Sequence, residues 1–179
     1  VSRIHLLRHA QPDYEAIEAR GLDFRSRDTA ALSRAGRQQA HEAAAVLERL
    51  GRSEIVSSPM TRTLQTAAII ALRLRLPLTV DIDLREWESG ISATETHAGW
   101  QRATQQFRDH HGVPQAGARW EGAEQIRERA TAALARLPRD GAAVLVVTHA
   151  FVIEALTGVD GRAVGFCEHV PFPDGGRSR

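Results

Sequence analysis

Leu6-Leu7-Arg8-His9-Ala10 is an apolar run that ends abruptly in a guanidinium and an imidazole. With Ile4 it reads as a short strand over Arg3 to Leu7, apolar on both faces as a parallel strand covered by helices requires. Successive strand residues point to opposite faces, so Arg8 and His9 can share a site only where the chain leaves strand geometry. Pro12 and the polar, charged stretch to Thr29 predict that break. A cation and an imidazole delivered together at the carboxyl end of a strand point to an anion.

The same pattern recurs downstream. Ser33 is a candidate N-cap for a helix through Leu50, with Gly51 where a helix stops. His41 on that helix reads as an ordinary surface residue. Glu54-Ile55-Val56-Ser57 is a second strand, followed by Ser58-Pro59 as N-cap and first helical position of a helix from Met60 to about Leu76. Arg62 lies in its first turn, where a cation opposes the helix dipole unless an anion is also present. Leu78 to Leu84 alternates apolar with polar residues, as an edge strand does, and runs into Arg85-Glu86-Trp87-Glu88-Ser89-Gly90. Residues 91–120 read as a partly helical lid inserted above the sheet. A helix from Glu121 to Leu137, closed by Pro138, leads to Ala143-Val144-Leu145-Val146-Val147, the clearest buried strand, which ends in Thr148-His149. Ala150 to Leu156 is helical up to Gly158, Ala163 to Val170 is a further candidate strand, and residues 171–179 are predicted to be a disordered tail.

Strands alternating with helices predict an α/β three-layer sandwich: a mostly parallel central sheet flanked by helices, forming a single domain over residues 1–170. The chain has 179 residues, enough for a substantial core, and a formal charge of +1 at pH 7, which leaves no overall field for nucleic acid or anionic membrane. Its single cysteine rules out an internal disulfide and a cysteine-rich zinc site. No run reaches the ~18 apolar residues of a membrane span. Arg8, Gln11 and Asp13 interrupt any signal-peptide pattern, so the expectation is a cytoplasmic protein.

In a parallel sheet ligands bind outside the carboxyl ends of the strands. Arg8-His9, Ser57-Ser58 with Arg62, Arg85-Glu86 and Thr148-His149 therefore converge although they are spread over most of the chain. Two histidines, two arginines and a carboxylate at one sheet edge match phosphoryl transfer through phosphohistidine. That reaction needs a neutral imidazole to attack phosphorus, cations to hold the oxygens, and an acid for the departing oxygen. Nearby arginines disfavour imidazolium and offer forked donors to phosphate, and no metal or other cofactor is called for. A Walker-type loop, a Gly-x-Ser-x-Gly elbow and a His-Glu-x-x-His pair are all missing, and adjacent His110 and His111 diverge on a helix.

These residues, in order, resemble the histidine phosphatase superfamily, which includes cofactor-dependent phosphoglycerate mutases and many small phosphatases. The matching pieces are Leu7-Arg8-His9-Ala10; Leu32-Ser33 with Gly36, Gln39 and Ala40; Ser57-Ser58-Pro59 with Arg62, Gln65, Thr66 and Ala67; Leu84 with Glu86 and Gly90; and Val147-Thr148-His149-Ala150. The resemblance implies a phosphoric monoester hydrolase of the histidine acid phosphatase type. By position, His9 is the phosphorylated nucleophile, Arg8, Arg62 and His149 form the phosphate pocket, and Glu86 is the general acid, with Glu88 as its alternative. Ser58 and Glu121 are candidate substrate contacts. Ala10 stands where glycine is usual, Asp13-Tyr14-Glu15 where an asparagine is common, and Trp120-Glu121-Gly122 where many relatives have Gly-Glu-Ser. A carboxylate at Asp13 or Glu15 is expected to repel phosphate.

Trp87, Trp100 and Trp120 all follow Glu86. They either pin the insertion to the sheet or form an aromatic wall favouring a ring-bearing phosphomonoester, while Arg102, Arg108 and Arg119 are candidates for recognising a second anionic group. The expected partner is a small phosphomonoester, with neither nucleic acid nor membrane, and oligomeric state is left open. Only about sixty residues separate Glu86 from His149, which favours a phosphatase over a mutase with a larger enclosing insertion. A phosphoglycerate mutase-like phosphotransferase and a non-catalytic phospho-ligand binding module are the alternatives.

Overall fold

The buried apolar run Ala143–Thr148 (β4) is the centre of the sheet, and the other strands assemble outward from it. The computed structural model describes residues 3–92, 95–137 and 143–172. Ile4–Arg8 (β1) and Arg52–Ser57 (β2) lie parallel on either side of β4, with Arg8 opposite Thr148 and Ser57 opposite Val147. Leu78–Val80 (β3) extends the sheet beyond β2, and His169–Phe172 (β5) closes the other edge antiparallel to β1. The order is β3-β2-β4-β1-β5.

The side-chain alternation of these strands builds two cores. Leu7, Ile55, Leu145 and Val147 face helices Arg34–Leu47 (α2) and Thr61–Leu74 (α3), which follow a short helix Tyr14–Glu18 (α1). Leu6, Val56, Val144 and Val146 face Ala123–Ala135 (α5) and Ala150–Thr157 (α6) on the opposite side. The α/β arrangement with helices on both faces of a mostly parallel sheet is the expected one. Within residues 91–120, helix His97–Asp109 (α4) packs through Ala103 and Phe107 against a cluster with Trp87, Trp120 and Phe151. Among the described residues, no helix is long and apolar enough to cross a membrane.

Three local expectations are corrected. The Leu78 to Leu84 strand is only three residues long, because the Asp81 carboxylate accepts from the Asp83 amide at 2.9 Å and turns Ile82–Leu84 into a 3-10 helix. Helix α3 begins at Thr61 rather than at Pro59: Met60 is extended at φ −71, ψ 144, and the Ser58 hydroxyl, 2.8 Å from His149 Nε2, accepts from the Met60 amide only at 3.5 Å. The Ala163 to Val170 strand is displaced to His169–Phe172, because Cys167 adopts φ 57 in a turn that donates its amide to the Arg8 carbonyl at 3.0 Å. Pro171 and Phe172 thus belong to the sheet rather than to a tail, and residues 173–179, like Pro138, lie outside the described residues.

Candidate active site

The strand ends converge as the topology requires. β1, β4 and β2 are neighbours, so His9, His149 and Ser58, each one residue past its strand, stand side by side. The turn after β1 is braced by side chains from both helices of that face. The Ala10 amide donates to Thr66 Oγ1 at 3.0 Å, the Gln11 amide to Gln39 Oε1 at 2.9 Å, and the Leu32 amide to Gln65 Oε1 at 2.7 Å. Helix α2 is capped by Ser33, whose hydroxyl accepts from the Gly36 amide at 2.9 Å, and a Cβ at Gly36 would collide with the Gln11 carbonyl oxygen. The recurrent small and amide-bearing residues of this segment therefore serve to hold one loop.

His9 is 4% exposed. Its Nδ1 lies 2.8 Å from the Ala10 carbonyl oxygen, which can only accept, so Nδ1 carries the proton and Nε2 the lone pair. Arg62 Nε donates to that Nε2 at 3.3 Å. Burial, and then the Arg62 guanidinium, lower the His9 pKa to about 3, so the imidazole is neutral throughout the physiological range. His149 is fully buried, and its Nε2 sits 2.8 Å from Ser58 Oγ. Burial, then Arg62 and His9, push its pKa well below the ordinary value.

Glu86 completes the group. One nitrogen from each of His9 and His149 and a Glu86 oxygen lie within 4.8 Å of one another. Glu86 Oε2 is 3.5 Å from His149 Nδ1 and 4.0 Å from Arg62 Nη2. Burial raises its carboxyl pKa against the opposing pull of Arg62 and Arg8. The triad has the donor set of a metal site, but the Arg62 guanidinium on the His9 lone pair opposes a divalent cation there. An anion fits better: among the described residues Arg62 Nη1 and His149 Nδ1, both buried, have no hydrogen-bond partner, although Arg62 Nη1 stands 3.6 Å from Asp28. Buried donors left in this way are what phosphoryl oxygens would satisfy.

Arg8 and Arg62 line a cavity of about 1020 Å³ together with His9 and Glu86. Arg8 donates to the Val164 carbonyl at 2.5 Å and lies 4.3 Å from the centre of the Phe166 ring. Ser58 sits behind His149 rather than at the cavity wall. Glu121 faces away: its carboxylate binds Arg129 at 2.6 and 2.8 Å. Trp120 is core, packed edge-on against Phe107. Trp87, 5% exposed, shows the cavity one edge and donates its indole N–H to the Glu121 carbonyl at 2.7 Å. Trp100 is half-buried on the wall. The acidic loop is also corrected. The Asp13 carboxylate caps α1 by accepting from the Ala16 amide at 3.0 Å and Glu15 is exposed, whereas Tyr14 faces the cavity. Arg108 and Arg119 are already paired with Glu154 and Glu95.

Arg129 is not legible in the sequence as a site residue. From α5 it donates to the carbonyls of Asp83 and Arg85 at 2.6 and 2.8 Å and to that of Glu86 at 3.3 Å, while its fork holds Glu121. Its one sequence signal is its place on the α5 face opposite the solvent, two turns after Glu121. Arg129→Ala is expected to destabilise the fold by about 3 kcal/mol, because it strands a largely buried carboxylate and three carbonyls, and to lower kcat by loosening Glu86. Chemical denaturation checks this. Arg129→Lys should recover little, since a point charge cannot reach four acceptors.

The buried neutral histidines also make a pH prediction. In the unfolded chain His9 titrates near 6.5, but in the fold only near about 3, so below pH 6.5 the unfolded state binds more protons. Stability is fully present above that point and falls towards pH 3 by roughly 1.4 kcal/mol per pH unit per histidine. His149 adds in the same direction. Denaturation midpoints at pH 7.5 and 5 measure it, and the decline should be shallower in His9→Gln.

Comparison with known proteins agrees with this geometry. The chain is 30% identical over 164 residues to "Probable phosphoglycerate mutase GpmB" of Salmonella arizonae, covering 86% of this chain and 72% of that relative. Among solved structures it resembles Bacillus stearothermophilus YhfR, with a TM-score of 0.69 and 25% identity over 91% of this chain and 85% of the other. A mycobacterial glucosyl-3-phosphoglycerate phosphatase matches with a TM-score of 0.66 and 28% identity, over 88% of this chain and 78% of the other. The sequence profile of the histidine phosphatase superfamily (branch 1) matches residues 4–165, and the chain belongs to that superfamily.

Proposed function

We propose that this protein is a metal-independent phosphomonoesterase that acts on a small phosphorylated metabolite through a phosphohistidine intermediate. The observation that carries this reading is a neutral, buried imidazole whose lone pair faces Arg62, with a carboxyl of raised pKa across from it. His9 Nε2 attacks phosphorus as the ester oxygen leaves, and Glu86 gives that oxygen its proton. Arg8, Arg62 and His149 Nδ1–H hold the phosphoryl oxygens as charge builds. Glu86, now a carboxylate, takes a proton from water, which attacks the phosphohistidine and releases phosphate and free His9. Ser58 serves this scheme by fixing the ring of His149 from behind.

The phosphatase among the structural relatives supports hydrolysis, and the relative named as a mutase supports a transferase as the second reading. Rapid mixing with an aryl phosphate in chelator, quenched into base, tests the choice. The expected result is one alkali-stable, acid-labile phosphoryl group on His9 and stoichiometric free phosphate. With 3-phosphoglycerate in place of the aryl phosphate, isomerised ester without free phosphate would establish the mutase, and hydrolysis of the aryl phosphate only with added divalent metal would overturn the scheme.

A further inference from the structure

We propose that the substrate's alcohol carries a flat, uncharged ring that stacks in a cleft formed by Phe24, His97 and Trp100; this rests on the phosphomonoesterase reading above. These three rings line the same cavity as His9. Phe24 comes from the 3-10 helix Phe24–Thr29, and His97 and Trp100 from the first turn of α4. Their centres are 5.6 Å apart for His97 and Trp100, nearly parallel at 18°, 5.7 Å for Phe24 and His97, and 6.1 Å for Phe24 and Trp100.

Unlike Trp87 and Trp120, each only 5% exposed, Trp100 and Phe24 are half-buried and His97 is exposed. The three therefore leave part of their ring surface to the cavity. His97 Nδ1 accepts from Arg27 Nη1 at 3.1 Å, which fixes the orientation of the ring. Arg27 itself lies over the rings of Tyr14 and Phe24, at 4.5 and 4.8 Å from their centres, so it stiffens the wall. A π surface of this kind at the edge of a substrate-sized cavity suits an aromatic or similarly planar group.

Charge argues the same way. Beyond the phosphate end, Arg27, Arg108 and Arg162 on the cavity wall are already paired with Glu18, Glu154 and Asp160. Asp28 and Glu88 add carboxylates to that wall. Among the described arginines of this outer wall only Arg25, exposed at the rim, forms no salt bridge. A second carboxylate or phosphate on the substrate would thus meet neutralised cations and like charge, whereas a neutral ring meets the ring surface that Phe24, His97 and Trp100 leave to the cavity.

The test compares esters that share a leaving oxygen and differ in the ring: adenosine 5′-monophosphate against ribose 5-phosphate, and benzyl phosphate against ethyl phosphate, with 3-phosphoglycerate as the doubly anionic probe. Each is measured as kcat/KM, or as Ki against a chromogenic aryl phosphate where turnover is slow. The ring-bearing member of at least one pair should be favoured about tenfold, with 3-phosphoglycerate the poorest, and the ratio should fall towards one in both Trp100→Ala and His97→Ala. His97 is exposed, so its variant keeps the test free of folding effects. Ratios near one for both pairs in wild type, a preference for 3-phosphoglycerate, or a ratio unchanged in both variants would overturn the inference while leaving phosphatase chemistry standing. Failure of that chemistry is read separately, from hydrolysis retained in His9→Ala.

Discussion

His9→Ala is expected to abolish release of phosphate from every ester, a loss on the order of 10⁴-fold or more in kcat. The expectation follows from position rather than from the presence of a histidine. The imidazole is neutral because burial and Arg62 disfavour its charged form, and its proton is held on Nδ1 by the Ala10 carbonyl, so Nε2 is the atom offered to phosphorus. Alanine leaves Arg8, Arg62 and Glu86 in place, so binding of inorganic phosphate should survive while the covalent step disappears. The measurements are phosphate release under chelator and capture of the phosphoenzyme, with inhibition by phosphate as the control for an intact pocket. Retained turnover would show that phosphorus is attacked by something other than His9.

The second large effect belongs to Glu86. Glu86→Gln keeps the size of the side chain but removes its proton, and should lower kcat/KM for alkyl phosphates by about 10²–10³-fold. An activated aryl phosphate, whose leaving oxygen needs no proton, should lose far less. Because kcat/KM reports the first chemical step, slow hydrolysis of the phosphoenzyme does not obscure the comparison. The pH profile supplies an independent check. Burial raises the Glu86 carboxyl above its ordinary range, so the protonated, competent form is depleted as pH rises, and kcat/KM for alkyl esters should fall on the alkaline side. That limb should be missing in Glu86→Gln. Equal slowing of both ester classes would assign the acid elsewhere. Glu88 is the less suited candidate, because its side chain is 55% exposed and pairs with Arg85.

Much of the site is legible in the chain because it hangs on strand ends. Apolar runs such as Leu6-Leu7 and Ala143 to Val147 announce buried parallel strands, and the residues that interrupt them must lie at one edge of the sheet whatever the loops do. His9, Arg62, Glu86 and His149 stand out in this way, and the structure brings them together. Residues that merely follow a motif in sequence are less secure. Ser58, Glu121 and Trp120 are singled out by place in a motif or segment alone, and their side chains turn to His149, Arg129 and Phe107.

Sequence by itself determined the layered α/β fold and the chemistry-bearing strand ends, because periodicity and local chain breaks are written in consecutive residues. Tertiary structure alone decided what depends on partners far apart in the chain. It raised Glu86 and lowered His9 by burying them beside Arg62, placed Tyr14 rather than Asp13 or Glu15 at the cavity, and recruited Arg129 across more than forty residues to hold the Glu86 loop. It also gathered Phe24, His97 and Trp100 into one wall. Desolvation and side-chain direction are properties of the packed whole, and no window of sequence contains them.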